Sequence, residues 1–233
     1  MNTSDVSSDS IRATMAELAA NFSGPTDVPA ILATVTAHAV ELIDAVDIAD
    51  VLVIDEHHHR SLAPTDDLAT RLDTVQVELH EGPCLDAAVH DTTVLSTDLY
   101  SETRWPKFAA AAVQAGVHSM MSFQLYCSPK VLPDVSGRAA LNLFSRNRAE
   151  FSLEDQALGA MLATHAATAL IAADRQAQFE SALASRDLIG QAKGILMERY
   201  KVDAVRAFGM MTRISQDTNT KLRDIAQQIV DTP

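Results

Sequence analysis

Apolar residues recur along this chain at two different periods, and the switches between them mark out the elements. Ile31, Val35, Ala39, Leu42 and Ile43 fall at near-helical spacing, and the β-branched stretch Ile48-Ala49, Val51-Leu52-Val53-Ile54 that follows reads as a strand. Ahead of them, Ser10 is placed to cap a helix through Ile11, Met15, Leu18 and Phe22 that ends near Gly24-Pro25. The segment DEHHHR predicts a hairpin turn into a short strand at Ser61-Leu62-Ala63, interrupted by Pro64. Leu68, Leu72, Val75 and Leu79 predict a helix or an irregular cover; a small element begins at Gly82-Pro83, and Val94-Leu95 is a short strand. After Pro106, the run KFAAAAVQAGV predicts a helix with proline in its first turn and Gly116 at its end. Residues 119–127 and 139–144 predict two strands, separated by a long loop carrying Pro129, Pro133 and Gly137. Helices, an antiparallel sheet and further helices make an α+β fold.

Ser152-Leu153-Glu154-Asp155 resembles a capping box, and no proline intervenes from there to Gly190. Leu158, Leu162, His165, Ala169, Ala172, Gln176, Phe179 and Leu183 follow at alternating steps of 4 and 3, the seam of a coiled coil or of a helix packed along a sheet. His165 and Gln176 interrupt it. The pattern predicts a long helix leaving a first domain and feeding a second, at a dimer axis. Three amphipathic helices then fit residues 185–231. The first carries Leu188, Ile189, Ala192, Ile195 and Leu196; the second, capped by Asp203, carries Ala204, Ala207, Phe208, Met211 and Ile214; the third, capped by Thr218 or Thr220, carries Leu222, Ile225, Ala226 and Ile229. Such short helices bury their stripes only against one another, as a compact three-helix unit. The organisation expected is a polar segment and helix over 1–24, a domain over 25–172 and a helical domain over 173–233.

Charge separates these parts. The chain of 233 residues has a formal net charge of -13, which argues against indiscriminate polyanion binding. Yet residues 181–233 hold 8 Lys and Arg against 6 Asp and Glu, a local +2 that leaves -15 for the remainder. On the first bundle helix, Arg186, Gly190, Lys193 and Met197 follow at steps of 4, 3 and 4 and share a face. Gly190 and Gly194 cost that helix about 1 kcal/mol each relative to Ala. Either they let two helices cross closely, or they lower the surface so that a phosphate backbone approaches the cations. Lys221, beside Asn219 and Thr220, opens the third helix, where free N–H groups and a positive helix end favour an anion.

The last segment resembles the ANTAR family of bacterial RNA-binding antitermination domains. The resemblance rests on Ile189, Ala192-Lys193-Gly194-Ile195-Leu196-Met197, Ala207-Phe208, Ser215, Asn219, Lys221-Leu222 and Asp224-Ile225-Ala226, in family order and spacing. It implies a three-helix bundle, joined to a sensory domain through a coiled coil, that binds paired RNA stem-loops as a dimer. Ala192, Lys193 and Gly194 correspond to the signature on the first helix; Arg213, Asn219 and Lys221 lie where the family presents polar and basic groups between the second and third helices, and Arg186 shares the face of Lys193. The family often has Leu-Arg where this chain has Met211-Thr212, so a frequent cation is absent at Thr212, with Arg213 adjacent.

Residues from about 25 to 172 resemble a GAF domain of the kind that precedes ANTAR in bacterial regulators. The matching features are Glu81-Gly82-Pro83-Cys84-Leu85-Asp86-Ala87, the Trp105-Pro106 helix start, Ala115-Gly116-Val117 with the strand after it, and Phe151-Ser152 to Asp155. GAF domains host many small molecules, so a small-molecule signal is expected here without its identity. Cys84, Trp105 and His118 are the candidate ligand-binding residues. Cys84 sits near a helix start, where a thiol pKa is lowered, and equally suits a small buried hydrophobe. Trp105 is either a packing residue or a ligand platform, and its indole N–H needs a partner. His118 could ligate haem or line a pocket.

No metal or cofactor is expected. His57-His58-His59 point to opposite faces of an extended segment and cannot converge on one ion. Cys84 and Cys127, the two cysteines, fit a reducing compartment. No apolar run approaches the roughly 18 residues that span a bilayer, and the polar start lacks signal-peptide order, so a cytoplasmic protein is expected. G-x-S-x-G, Walker, H-E-x-x-H and C-x-x-C patterns are missing, which excludes the commonest enzyme classes. The expected function is sensor-coupled RNA binding that acts by transcription antitermination, without catalysis. Two alternatives stand beside it: a GAF-mediated dimeric protein-interaction module without RNA binding, and a thiol or haem redox sensor through Cys84 or His118.

Overall fold

A computed structural model describes residues 27–54, 58–89, 93–125 and 138–232, together with Ala16. The expected N-terminal helix, His57, Cys127 and the loop with Pro129, Pro133 and Gly137 lie outside the described residues. In chain order the elements are α1 (Val28–Leu42), β1 (Ile48–Ile54), β2 (His59–Leu62), α2 (Asp67–Leu79), α3 (Pro83–Val89), β3 (Thr93–Ser96), α4 (Pro106–Gln114), β4 (Ser119–Leu125), β5 (Arg138–Ser145), α5 (Leu153–Tyr200), α6 (Ala204–Thr218) and α7 (Leu222–Asp231). They divide into two compact units, Met1–Asp174 and Arg175–Pro233.

The first unit is the expected α+β fold, a five-stranded sheet in the order β2-β1-β5-β4-β3 with every neighbour antiparallel. Both faces of the sheet are covered, so its central strands read as nearly unbroken apolar runs. Side chains alternate between the faces. Ala49, Val51, Val53, Leu141 and Leu143 meet α1 and the first half of α5 in one core. Ile48, Leu52, Met120, Ala140 and Phe144 meet α2, α3 and α4 in another. The region left open between helix and irregular cover is the regular helix α2. Its carboxylate cap is Asp66, which accepts from the Leu68 N–H at 2.7 Å.

The capping box forms as the sequence indicates. Asp155 accepts from the Ser152 N–H at 2.8 Å, and the Asp155 N–H donates to the Ser152 hydroxyl at 3.1 Å. Two turns on, Gly159 is needed for close approach, because a Cβ there would overlap the Phe123 ring of β4. The expected seam divides along α5. Leu158, Leu162 and Ala169 are buried in the sheet core, whereas Phe179 and Leu183 remain 61% and 43% exposed. α5 also contains a window that by length and composition alone could cross a membrane, although no uninterrupted apolar run reaches that length. Alanines between the larger apolar residues keep its mean hydropathy high, and Leu162, Ala166, Ala169 and Leu170 sit in the sheet core.

In the second unit the first bundle helix is not separate but the end of α5, because nothing between Leu153 and Tyr200 breaks the backbone ladder. Ala192, Leu196, Ala207, Met211, Ile225 and Ala226 form the core. Alanine on each of three helices brings the axes close and narrows the buried stripe. Phe208 and Ile214, expected inside, are therefore 44% and 43% exposed, and Ile195 is only half-buried. Asp203 caps α6 through the Arg206 N–H at 2.8 Å, as expected. Neither Thr218 nor Thr220 caps α7. The Thr218 hydroxyl donates to the Ile214 carbonyl and that of Thr220 to the Thr218 carbonyl, leaving Lys221 in the cap position with no side-chain hydrogen bond.

Candidate functional site

The helical unit presents five of the expected site residues as exposed groups: Arg186 and Gly194 on α5, Arg213 on α6, Asn219 at the end of α6 and Lys221 at the start of α7. Lys193 is half-buried at the edge of the bundle. Ala192 is corrected by the structure. It has no exposed surface and lies in the bundle core, so it sets the helix spacing and cannot touch a ligand. Asn219 adopts the left-handed conformation, φ 51°, that ends α6, and its N–H donates back to the Gln216 and Ser215 carbonyls. Its backbone thus turns the chain toward Lys221.

The glycine alternatives separate. A Cβ at Gly190 or Gly194 would meet nothing within 4 Å, so no described part of the chain crosses α5 there. What remains is a cleared strip of helix beside Lys193. Among the described residues, Arg186, Lys193, Arg213 and Lys221 form no ion pair, whereas the nearby Lys201 is paired with Glu198. Unpaired cations at a cleared surface attract polyanions, and the local positive charge adds to that.

The three ligand-binding candidates of the first unit do not converge. Cys84 is fully buried among Leu72, Ala87 and Phe144, and its N–H donates to Gln76 Oε1 at 3.0 Å. Burial pushes its thiol well up, and the Asp73 carboxylate pushes it further. The reading of a lowered, redox-active thiol is therefore overturned; Cys84 is a buried hydrophobe. Trp105 is 3% exposed. Its indole N–H donates to Asp86 Oδ2 at 2.8 Å, and the Arg104 guanidinium covers the ring at 4.2 Å from its centroid. That closes the ligand-platform reading and supplies the partner the indole required. His118 is half-buried at the start of β4, its N–H donating to Ser145 and its carbonyl accepting from Leu99. The clefts of about 320 Å³ at residues 95–104 and about 230 Å³ at residues 28–63 are lined by none of the three.

A polar cluster that the sequence reading did not single out lies on the helix-covered face of the sheet. Asp50 of β1 pairs in register with Asn142 of β5, and Asn142 with Ser122 of β4. All three are fully buried. The Ser122 hydroxyl donates to Asn142 Oδ1 at 2.9 Å, and the Asn142 amide donates to Asp73 Oδ1 at 3.3 Å. Ser61 of β2 donates to Asp73 Oδ2 at 2.5 Å. Gln76 lies one turn after Asp73 on α2, with its amide nitrogen buried and unpartnered. A single polar residue inside one strand is uninformative. The available signal was that IADVLVI, SMMSFQL and AALNLF each carry one near the middle of an apolar run, opposite a helix with Asp73 and Gln76 at i, i+3.

Comparison with known proteins places both units. Residues 25–171 match the GAF domain family and residues 177–230 match the ANTAR domain. No curated protein sequence matches the chain. Among solved structures, the GAF domain of a phosphoenolpyruvate-protein phosphotransferase from Coxiella burnetii is similar at a TM-score of 0.53 and 14% identity, over 76% of this chain and 99% of that one. Free methionine-R-sulfoxide reductase from Neisseria meningitidis is similar at 0.50 and 17%, over 71% and 90%. The photosensory core module of a Stigmatella aurantiaca phytochrome is similar at 0.56 and 11%, over 91% of this chain and 45% of that one. At these identities the likeness shows the fold alone. The five-stranded antiparallel sheet between helices and the C-terminal helical unit are the two parts these matches cover, and the chain belongs to the GAF domain family, with an ANTAR domain at its C-terminal end.

Proposed function

We propose that this regulator binds RNA through its C-terminal unit and acts by transcription antitermination, on paired stem-loops, with residues 25–172 as the sensor and 173–233 as the RNA-binding part. The observation that carries this reading is the strip on α5 where Gly190 and Gly194 meet nothing beside the unpaired Arg186 and Lys193. Arg213 on α6 and Lys221 at the start of α7 are further exposed cations of the same unit, and the uncapped start of α7 adds the positive end of a helix dipole. A duplex or loop backbone brought to this surface releases counterions in proportion to the cations engaged.

A paired target calls for two copies. Phe179 and Leu183, exposed on the continuing seam of α5, supply the apolar contact for pairing with a second chain. A signal in the sensor then acts on RNA by changing how α5 pairs. The burial of Cys84 and Trp105 removes the support for a thiol sensor or a ligand stacked on the indole. Gel shifts of the full chain on tandem and single hairpin RNAs test the reading. Tandem hairpins are expected to bind at least tenfold tighter, and Leu183→Asp to erase the difference. Equal affinity for the two RNAs would reject paired recognition, and no shift with either would leave the protein-interaction module as the better account.

A further inference from the structure

Asp50 is fully buried, and both of its carboxylate oxygens lack a hydrogen-bond donor. It sits at the middle of β1, in the apolar layer formed with Ile48, Leu52, Met120, Ala140 and Phe144. The group against it is another acceptor, the buried carboxylate of Asp73. Two ionised carboxylates side by side inside an apolar core are strongly disfavoured, since Asp50 would lack solvation and each would repel the other. Some positive species has to lie between them. Both Asp50 oxygens are shut off from solvent. A proton shared by the two carboxylates meets that need without further room.

We propose that Asp50 and Asp73 hold one proton between them at neutral pH, and that this proton fastens α2 to the sheet and makes the stability of the sensor unit depend on pH. The proton belongs on Asp50, which donates to Asp73. Asp73 already accepts from Ser61 and Asn142, so it is the better-solvated charge, and the donated bond completes its shell. The groups facing the pair come from every element around it: Ser61 and His59 of β2, Asn142 of β5, Cys84 of α3, and Ser122 of β4 through Asn142. His59 lowers Asp73 when charged, and is itself half-buried and hydrogen-bonded to Thr74. Burial drives both carboxyls up from the ordinary carboxylate range, Asp50 furthest.

The sign follows. Above the ordinary carboxylate range the folded chain holds a proton that the unfolded chain has released, so stability falls as pH rises, until the folded pair also ionises. Each proton so held raises the unfolding equilibrium constant by up to about tenfold per pH unit. Asp50→Asn is the test, because an amide donates to Asp73 as the protonated acid does and carries no titrating proton. Denaturant unfolding of the full chain is measured from about pH 5 to pH 9. The wild type is expected to lose at least tenfold more in folding equilibrium constant over that range than Asp50→Asn. Parallel curves would overturn the proposal. Infrared spectroscopy of the wild type labelled at aspartate decides the matter even where the variant does not fold. A protonated-carboxyl band at neutral pH is expected, and its absence would equally overturn the proposal.

Discussion

The indole N–H of Trp105 donates to Asp86 Oδ2 at 2.8 Å, joining the start of α4 to α3 through the core of the first unit. Asp86→Ala would leave that N–H buried without a partner, at a cost of about 1–3 kcal/mol. The chain has one tryptophan, so the intrinsic fluorescence of Trp105 reports directly on this layer. The variant is expected to unfold at lower denaturant with a broadened Trp105 emission before the main transition. An unchanged midpoint would show that the bond contributes nothing.

Arg104 joins that layer to a carboxylate. Its guanidinium donates to Glu102 Oε1 at 2.9 Å and Oε2 at 2.6 Å while covering Trp105. The hydrogen bond from Arg104 holds the Glu102 carboxyl down from 4.5 to about 2. A depressed carboxyl contributes stability above its unfolded value and loses it as pH falls toward the folded one. Glu102→Gln is therefore expected to be less stable than the wild type at neutral pH, with the gap closing between pH 4.5 and 2. Thermal unfolding at a series of acid pH values checks this, and a gap independent of pH would contradict it.

Helical glycines in this chain have opposite reasons, and one substitution at each separates them. At Gly159 a Cβ would overlap Phe123 and crowd Leu143, so Gly159→Ala is expected to destabilise by about 1–3 kcal/mol. At Gly190 and Gly194 a Cβ meets nothing, and Ala there is expected to stabilise by up to about 1 kcal/mol each. If the strip is a docking surface, the stabilised variants bind RNA more weakly. Denaturation and gel shifts on the same preparations measure both effects, and a stabilised double variant with unchanged RNA affinity would remove the glycines from the site.

What was legible in the sequence was local. The capping pairs at Ser152 and Asp203 each lie within one helical turn, and the strand of Ile48 to Ile54 announces itself by its side chains. What was not legible depends on register and on spacing between helices. Asp50, Asn142 and Ser122 become neighbours only when three strands align, and no short-range pattern contains that alignment. Phe208 and Ile195 satisfy the periodicity of a buried stripe, yet the alanines at 192, 207 and 226 close the bundle before they enter it. Ala192 shows the same limit from the other side. A signature residue next to Lys193 reads as part of a contact surface, and the fold turns it inward.

RNA binding through Lys193 and Lys221 has to weaken with salt in proportion to the cations engaged. Affinity of the full chain for a tandem stem-loop RNA is measured by fluorescence anisotropy across salt concentrations, for the wild type, Lys193→Ala and Lys221→Ala. The logarithm of the wild-type affinity is predicted to fall linearly with the logarithm of salt. Each substitution is predicted to weaken binding and to reduce that slope by about one, with folding retained. Slopes and affinities equal to the wild type in both variants, or a wild type that does not bind the RNA at any salt, would contradict it.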